Sequence, residues 1–364
     1  MRKFLVSIAI LLSTVALMAQ PPAGYYDSAN GLSGQALKTA LFNIIKSGVT
    51  TITYDGLYNA YKTTDNLPNN KVWDMYSMKM NGTANYYFTH SSDNCGNYSA
   101  EGDCYNREHT TPASWFNDAS PMYSDLFNVY PTDGYVNNRR SNYPYGEVGN
   151  ATYTSSNGSK LGSCSFSGYS GTVFEPNDTF KGDFARTYLY MATRYQDKVA
   201  GWPGNSTECA AFYAGNNTTV FKTWAINLLL KWCTQDPVSQ KEINRNNAVY
   251  ALQHNRNPYI DHPEWIAMIW GSNASVEDVD LSQSVMVYPN PAQDICAIDL
   301  TENFNAQKVS VEWLDITGKS FTPAYEIVNN SFRFNTSNLA KSIYFVKISD
   351  SQSGISTVVK VVKQ

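Results

Sequence analysis

The chain has 364 residues, of which 43% are hydrophobic and only 16% charged, with 26 tyrosines and four histidines. That is enough apolar material for one large core and a small second domain. The net charge of −4 excludes a generic polyanion binder that works through a broadly basic surface, so any contact with nucleic acid must rest on local cations.

Residues 1–20 set the compartment. Arg2 and Lys3 form a short positive start, Phe4 to Leu12 and Val15 to Met18 an apolar run, and Ala19-Gln20 a cleavage point before Pro21-Pro22. This is the pattern of a signal peptide, and it is short for a membrane span. No other stretch is apolar enough to cross a membrane. Six cysteines fit an exported chain, in which disulfides can form. Cys95 and Cys104 bracket a short loop and Cys209 and Cys233 a longer segment, which leaves Cys164 and Cys296 over. Sequence alone does not fix these pairings, and no Cys-x-x-Cys pattern suggests zinc.

Residues 21–271 read as one mixed domain. Apolar residues at helical spacing predict helices over Gln35–Lys46, Arg186–Tyr195 and Thr219–Cys233, and a weaker one over Ile243–Gln253. Residues 141–172, rich in Asn, Gly and Ser, read as loop. Residues 272–283 are polar and acidic and read as a linker. From residue 284 the period switches to two, with strands expected around Val285–Tyr288, Val309–Ile316, Ile343–Ile348 and Ser356–Val362 and a turn at Asp315–Lys319. Residues 284–364 therefore predict a small all-β sandwich. This tail resembles the C-terminal sorting domain of type IX secretion substrates, through Tyr288-Pro-Asn-Pro-Ala292, the Asp315–Lys319 turn and Ile343-Tyr-Phe-Val346. The resemblance implies the secretion machinery as a partner, and a secreted or cell-surface product that passes through the periplasm.

The chemistry gathers around His109, in Tyr105-Asn-Arg-Glu-His-Thr-Thr-Pro112. An imidazole can take a proton from water near neutrality, and the neighbouring Glu108 carboxylate can hold a hard divalent cation. On a strand the two would point to opposite faces, so both serve one centre only where the strand ends. Pro112 is consistent with such an end. Asn137 offers a neutral oxygen as a second metal ligand, and Arg140, beside Arg139, a forked cation for phosphate oxygens. Singly, each has a plainer reading: a surface ion pair for Glu108 and His109, a helix N-cap for Asn137, a solvated charge pair for the arginines.

Taken together, the motifs resemble bacterial endonuclease I, one of the ββα-metal (His-Me finger) nucleases, over roughly residues 24–271. They are Val72-Trp-Asp-Met-Tyr-Ser77, Asn106-Arg-Glu-His109, Asp125-Leu-Phe-Asn128, Val136-Asn137 with Arg140-Ser-Asn142, Phe174-Glu-Pro176, Gly182-Asp-Phe-Ala-Arg186 and Asn255-Arg-Asn-Pro258. The resemblance implies an α+β fold, His109 as general base, Glu108 and Asn137 on Mg²⁺ or another divalent cation, and Arg140 on the phosphate. It also implies nonspecific hydrolysis of DNA to 5′-phosphate ends, with RNA left open as a second substrate. Phe127 departs from the pattern, since relatives often carry His there.

Asn128, Arg139, Glu175, Asp183 and Arg186 are candidates for supporting roles; the last three read more readily as structural ion pairs. His254 and His262 fit a structured loop better than a zinc site, and His90, Trp115, Phe116 and Trp265 fit packing. The rival to an enzyme is a secreted surface or nucleic-acid-binding protein with a silent nuclease fold.

Overall fold

The computed structural model describes residues 21–79, 81–271, 285–300, 306–307, 309–350 and 356–364. The expected signal peptide (1–20) and linker (272–283) lie outside these residues. The chain divides into two compact units, residues 1–274 and 275–364. Among the described residues no helix is long and apolar enough to cross a membrane.

The first unit is a helical body wrapped around a short hairpin. Helix α1 (Gly34–Lys46) buries Leu37, Leu41 and Ile45 at successive i, i+4 positions, which is the stripe its sequence spacing predicts. Helix α2 (Leu57–Thr64) follows. Strands β1 (Tyr105–His109) and β2 (Val129–Asp133) pair antiparallel, with Glu108 opposite Tyr130 and His109 opposite Val129. Helix α3 (Gly134–Arg140) begins directly after β2. Its N-cap is Asp133, whose Oδ1 accepts the Val136 N–H at 2.9 Å. Asn137 therefore sits inside the helix and is not its cap.

Residues 148–175 correct the loop expectation. Strands β3 (Val148–Thr154), β4 (Lys160–Cys164) and β5 (Thr172–Glu175) form a three-stranded sheet in the order β3-β4-β5. Residues Gly149 to Ala151 are exposed, so these strands lack the apolar alternation by which a strand is recognised.

The helical body continues with α4 (Lys181–Arg194), α5 (Thr223–Gln235), α6 (Gln240–Gln253) and α7 (Glu264–Trp270). Helix α4 starts five residues before the predicted Arg186. Every one of its residues is buried, so its first turn shows no polar-apolar stripe. Helix α5 starts later than predicted, at Thr223, because Val220 adopts a left-handed conformation (φ 63°) that a helix cannot contain. Helix α6 starts earlier, at a capping box: the Ser239 side chain accepts the Glu242 N–H, and the Glu242 carboxylate accepts the Ser239 N–H. Arg245 of α6 ties the body to the hairpin. Its Nε donates to Asp65 Oδ1 at 2.8 Å, its Nη2 to the Val129 carbonyl at 3.3 Å, and its guanidinium lies 4.0 Å over the Tyr130 ring.

The second unit is all β. Strands β6 (Val285–Tyr288), β7 (Ile295–Leu300), β8 (Val309–Leu314), β9 (Ser320–Phe321), β10 (Tyr325–Val328), β11 (Ser331–Asn335), β12 (Ser342–Asp350) and β13 (Ser356–Lys363) form two four-stranded sheets. Their orders are β9-β8-β12-β13 and β10-β11-β7-β6. Trp313, Phe332, Phe334, Val346, Ile348 and Val361 share the core of this unit. The whole is mixed α+β followed by an all-β tail, as expected.

Candidate active site

Strand β1 sends its side chains to two faces. Asn106 and Glu108 turn toward α3. The Asn137 Nδ2 donates to Asn106 Oδ1 at 2.7 Å, and Arg140 Nη1 to Glu108 Oε1 at 2.6 Å. Arg107 and His109 turn the other way, to one shared ring: the Arg107 guanidinium lies 3.5 Å from the Tyr54 centroid, and the His109 imidazole stacks on the same ring at 5.8 Å. This is the alternation that strand geometry dictates, and His109 is the last residue of the strand.

The His109 ring lies between aromatic faces, stacked with Tyr123 at 5.0 Å and tilted against Phe116 at 6.2 Å. Its Nε2 lies 2.9 Å from the Tyr123 carbonyl. A carbonyl oxygen only accepts, so Nε2 carries the proton and a neutral ring keeps its lone pair on Nδ1. No hydrogen bond falls on Nδ1 among the described residues. Burial, with the nearby Arg140 and Arg107 charges, pushes the imidazole down to about 4, so the ring is neutral at ordinary pH. Asn128 holds the backbone that follows. Its Oδ1 accepts the Thr111 N–H at 2.9 Å and its Nδ2 donates to the Thr111 carbonyl at 3.2 Å.

Glu108 is buried, and its hydrogen bonds fall on one oxygen. Oε1 accepts from Arg140 Nη1 at 2.6 Å, Tyr76 Oη at 2.7 Å and Tyr145 Oη at 3.2 Å. Among the described residues Oε2 accepts none. Burial raises the carboxyl above its ordinary range, while Arg140 and the two phenols pull it back. On Asn137 the amide nitrogen is engaged, and among the described residues Oδ1 accepts no hydrogen bond. No group of three or more His, Cys, Asp or Glu among the described residues is placed to hold a metal. The donors that remain are one carboxylate oxygen and one amide oxygen. Both are hard ligands of the kind Mg²⁺ takes while keeping several waters.

Arg140 corrects the sequence expectation. It is 1% exposed, and all five of its N–H groups are engaged. Nη1 donates to Glu108 and to the His109 carbonyl (2.7 Å), Nη2 to the Thr110 carbonyl (2.6 Å) and Tyr188 Oη (3.3 Å), and Nε to the Tyr143 carbonyl (3.1 Å). No donor is left for a phosphate; this arginine fixes Glu108 and the end of β1 instead. Arg139 is exposed and lies over Tyr135 and Tyr153 at 4.9 and 5.3 Å.

The three remaining supporting candidates prove to be ion pairs of the helical body. Arg186 grips Glu242 with two bonds of 2.5 and 2.8 Å, Asp183 pairs with Lys241 at 3.0 Å, and Glu175 pairs with Lys181 at 2.6 Å. Among the described residues none of their hydrogen bonds or ion pairs reaches His109, Glu108 or Asn137. Phe127 is core and packs on Tyr190 at 4.8 Å. His90, Trp115, Phe116 and Trp265 are also buried. His254 ends α6 in a left-handed turn, and His262 stacks on Trp265 at 4.0 Å.

Sequence reasoning missed Tyr54, Tyr76, Tyr123, Tyr145 and the orientation of Arg107. Only Tyr76 had a signal, since it lies inside the Val72–Ser77 motif. Of the cysteine pairings considered, Cys95–Cys104 is formed, with a Cα–Cα distance of 5.8 Å, while Cys164, Cys209, Cys233 and Cys296 are free thiols.

Comparison with known proteins identifies both parts of the chain. An Endonuclease I family model matches residues 33–264, and a secretion system C-terminal sorting domain model matches residues 286–364. An extracellular ribonuclease of Bacillus amyloliquefaciens is 37% identical over 249 residues, covering 68% of this chain and 78% of that one. One from Bacillus subtilis (strain 168) is 35% identical over 265 residues, covering 71% and 83%. An Endonuclease-1 of Buchnera aphidicola is 28% identical over 138 residues, covering 38% and 46%. The sorting domain marks the product as secreted or held at the cell surface. The chain belongs to the Endonuclease I family.

Proposed function

We propose that this protein is a metal-dependent endonuclease that hydrolyses the phosphodiester bonds of DNA and RNA without sequence preference. The single observation that carries the reading is the end of β1: His109, the last residue of the strand, keeps Nδ1 without a hydrogen bond among the described residues, and the adjacent Glu108 keeps Oε2 likewise. His109 Nδ1 takes a proton from water as that water attacks phosphorus in line, and the bond to the 3′-oxygen breaks to leave a 5′-phosphate. Glu108 Oε2 and Asn137 Oδ1 would hold Mg²⁺, or another hard divalent cation, whose charge offsets that building on the phosphate and leaving oxygen. Arg140, Tyr76 and Tyr145 hold Glu108 Oε1 and favour the ionised carboxylate against its burial. Attack by water needs no 2′-hydroxyl, so the chemistry suits both nucleic acids, and similarity to proteins named for ribonuclease and for endonuclease activity supports this breadth. Among the described residues no element is placed to read base edges, so contacts to the backbone set the register.

His109→Ala tests the reading. Cleavage of plasmid DNA and of a labelled RNA should fall by about 10²- to 10⁴-fold, the usual worth of a general base, with the melting temperature kept. Parent-like cleavage would remove His109 from the mechanism. Chelation should abolish cleavage by the parent and added Mg²⁺ should restore it; cleavage that survives chelation would end the metal-dependent reading.

A further inference from the structure

With every N–H of Arg140 spent inside the protein, the site lacks the phosphate-facing cation that the chemistry calls for. Arg107 meets the requirement. It lies two residues before His109 on the same face of β1, and its guanidinium is fixed between two rings, 3.5 Å from the Tyr54 centroid and 4.4 Å from that of Tyr58. Such a cation–π sandwich holds the plane of the fork without using its donors. Only Nη1 is hydrogen-bonded, to the Tyr54 carbonyl at 2.9 Å and Asp55 Oδ1 at 3.2 Å. The Asp55 side chain is 98% exposed, and an ion pair in water is weak enough to give way to a phosphate. Nε and Nη2 have no hydrogen-bond partner among the described residues, and the side chain is 16% exposed. Two neighbouring N–H groups on a rigid fork match two oxygens of one phosphate.

We propose that Arg107 contacts a substrate phosphate on the His109 side of β1, and that this contact is an anchor of the nucleic-acid backbone at the site. The proposal rests on the nuclease reading, but it can fail separately. On a chain with net charge −4 one well-placed cation is a large share of the attraction available, so its loss should show in the salt dependence of binding.

The experiment measures binding of a fluorescent DNA duplex to the full chain carrying His109→Ala, which prevents cleavage, over a series of KCl concentrations. Arg107→Met should weaken binding and flatten the slope of log K against log salt by about 0.9, the counterion release of one phosphate contact. Arg107→Lys should keep the slope, because the charge remains. In the cleaving protein the same Lys substitution should lower kcat/KM by about tenfold, because the fork is gone. A parent-like slope in Arg107→Met, or an unchanged kcat/KM in Arg107→Lys, overturns the assignment. If His109→Ala is inactive and Arg107→Met still binds with the parent slope, only the role of Arg107 falls. If His109→Ala cleaves normally, the nuclease reading falls, whatever Arg107 does.

Discussion

Glu108 takes its hydrogen bonds on Oε1 and leaves Oε2 without one among the described residues, so one oxygen remains for the proposed cation. Tyr76 gives the shorter of the two phenol bonds, at 2.7 Å against 3.2 Å for Tyr145. Tyr76→Phe keeps the packed ring but frees the carboxylate to turn. Partners that orient a ligand are usually worth 10- to 100-fold in metal affinity, so the Mg²⁺ concentration for half-maximal cleavage should rise by about that factor. Metal should also raise the unfolding temperature of the variant less than that of the parent. An unchanged metal requirement would make Tyr76 a packing residue only. The residues of this neighbourhood were legible to different degrees. Glu108, His109 and Asn137 could be picked out because their chemistry is rare and their order along the chain informative. Arg140 could also be picked out, yet its expected partner was wrong, because residue type and spacing do not say whether a guanidinium faces solvent or five internal acceptors. The tyrosines were invisible among the 26 in the chain, since a phenol becomes part of a site only through the atom it meets.

Among elements, α1 shows how a helix read correctly from its pattern can still hide a cost. Its stripe was plain, but Lys38 lies fully buried on it, with Nζ 2.7 Å from the Asn217 carbonyl and 5.3 Å over the Trp270 ring. Burial pushes this amine down to about 7, against about 10.4 in an unfolded chain. Between those values the unfolded chain holds the proton more tightly. Folding therefore gains from rising pH across that window, at up to about 1.4 kcal/mol per pH unit from this one group. Below pH 7 the folded chain carries a buried cation. Lys38→Met should thus be favoured over the parent most at pH 6, and the gap between their urea midpoints should narrow by pH 9. A gap that does not move with pH would mean that Lys38 does not titrate in this range. Other elements failed to show for the opposite reason. The strands of residues 148–164 are wet and polar, and the first turn of α4 is buried on all sides through its ion pairs; in both cases the amphipathic contrast that marks an element is missing. The start of α6, by contrast, was written in Ser239-Gln-Lys-Glu242 as a capping box and could have been read.

On the scale of the whole molecule, the two units have separate cores, one centred on the helical body and one on Trp313, Phe332 and Val346. The change of period near residue 284 made this division legible, because a switch from 3.6 to 2 needs no knowledge of contacts. A chain ending at residue 271 should keep the cleavage rate of the full chain and the unfolding temperature of its first unit, yet fail to leave the producing cell. Plasmid cleavage by the shortened protein, and its distribution between cells and medium, check both halves. Loss of cleavage on shortening would mean that the tail supports the catalytic unit.

The five residues of β1 act as a partition, with the His109 imidazole on the Tyr54 side and the Glu108 carboxylate on the α3 side, and the pleat of a strand allows no half measure. Variation in the 110–128 connection, pinned at its far end by Asn128, can be absorbed by the turns it contains. One residue added between Tyr105 and His109 would instead swap the sides, turning the carboxylate toward Tyr54 and the imidazole toward α3. The shortest segment of the site is therefore the one whose length is least free to change.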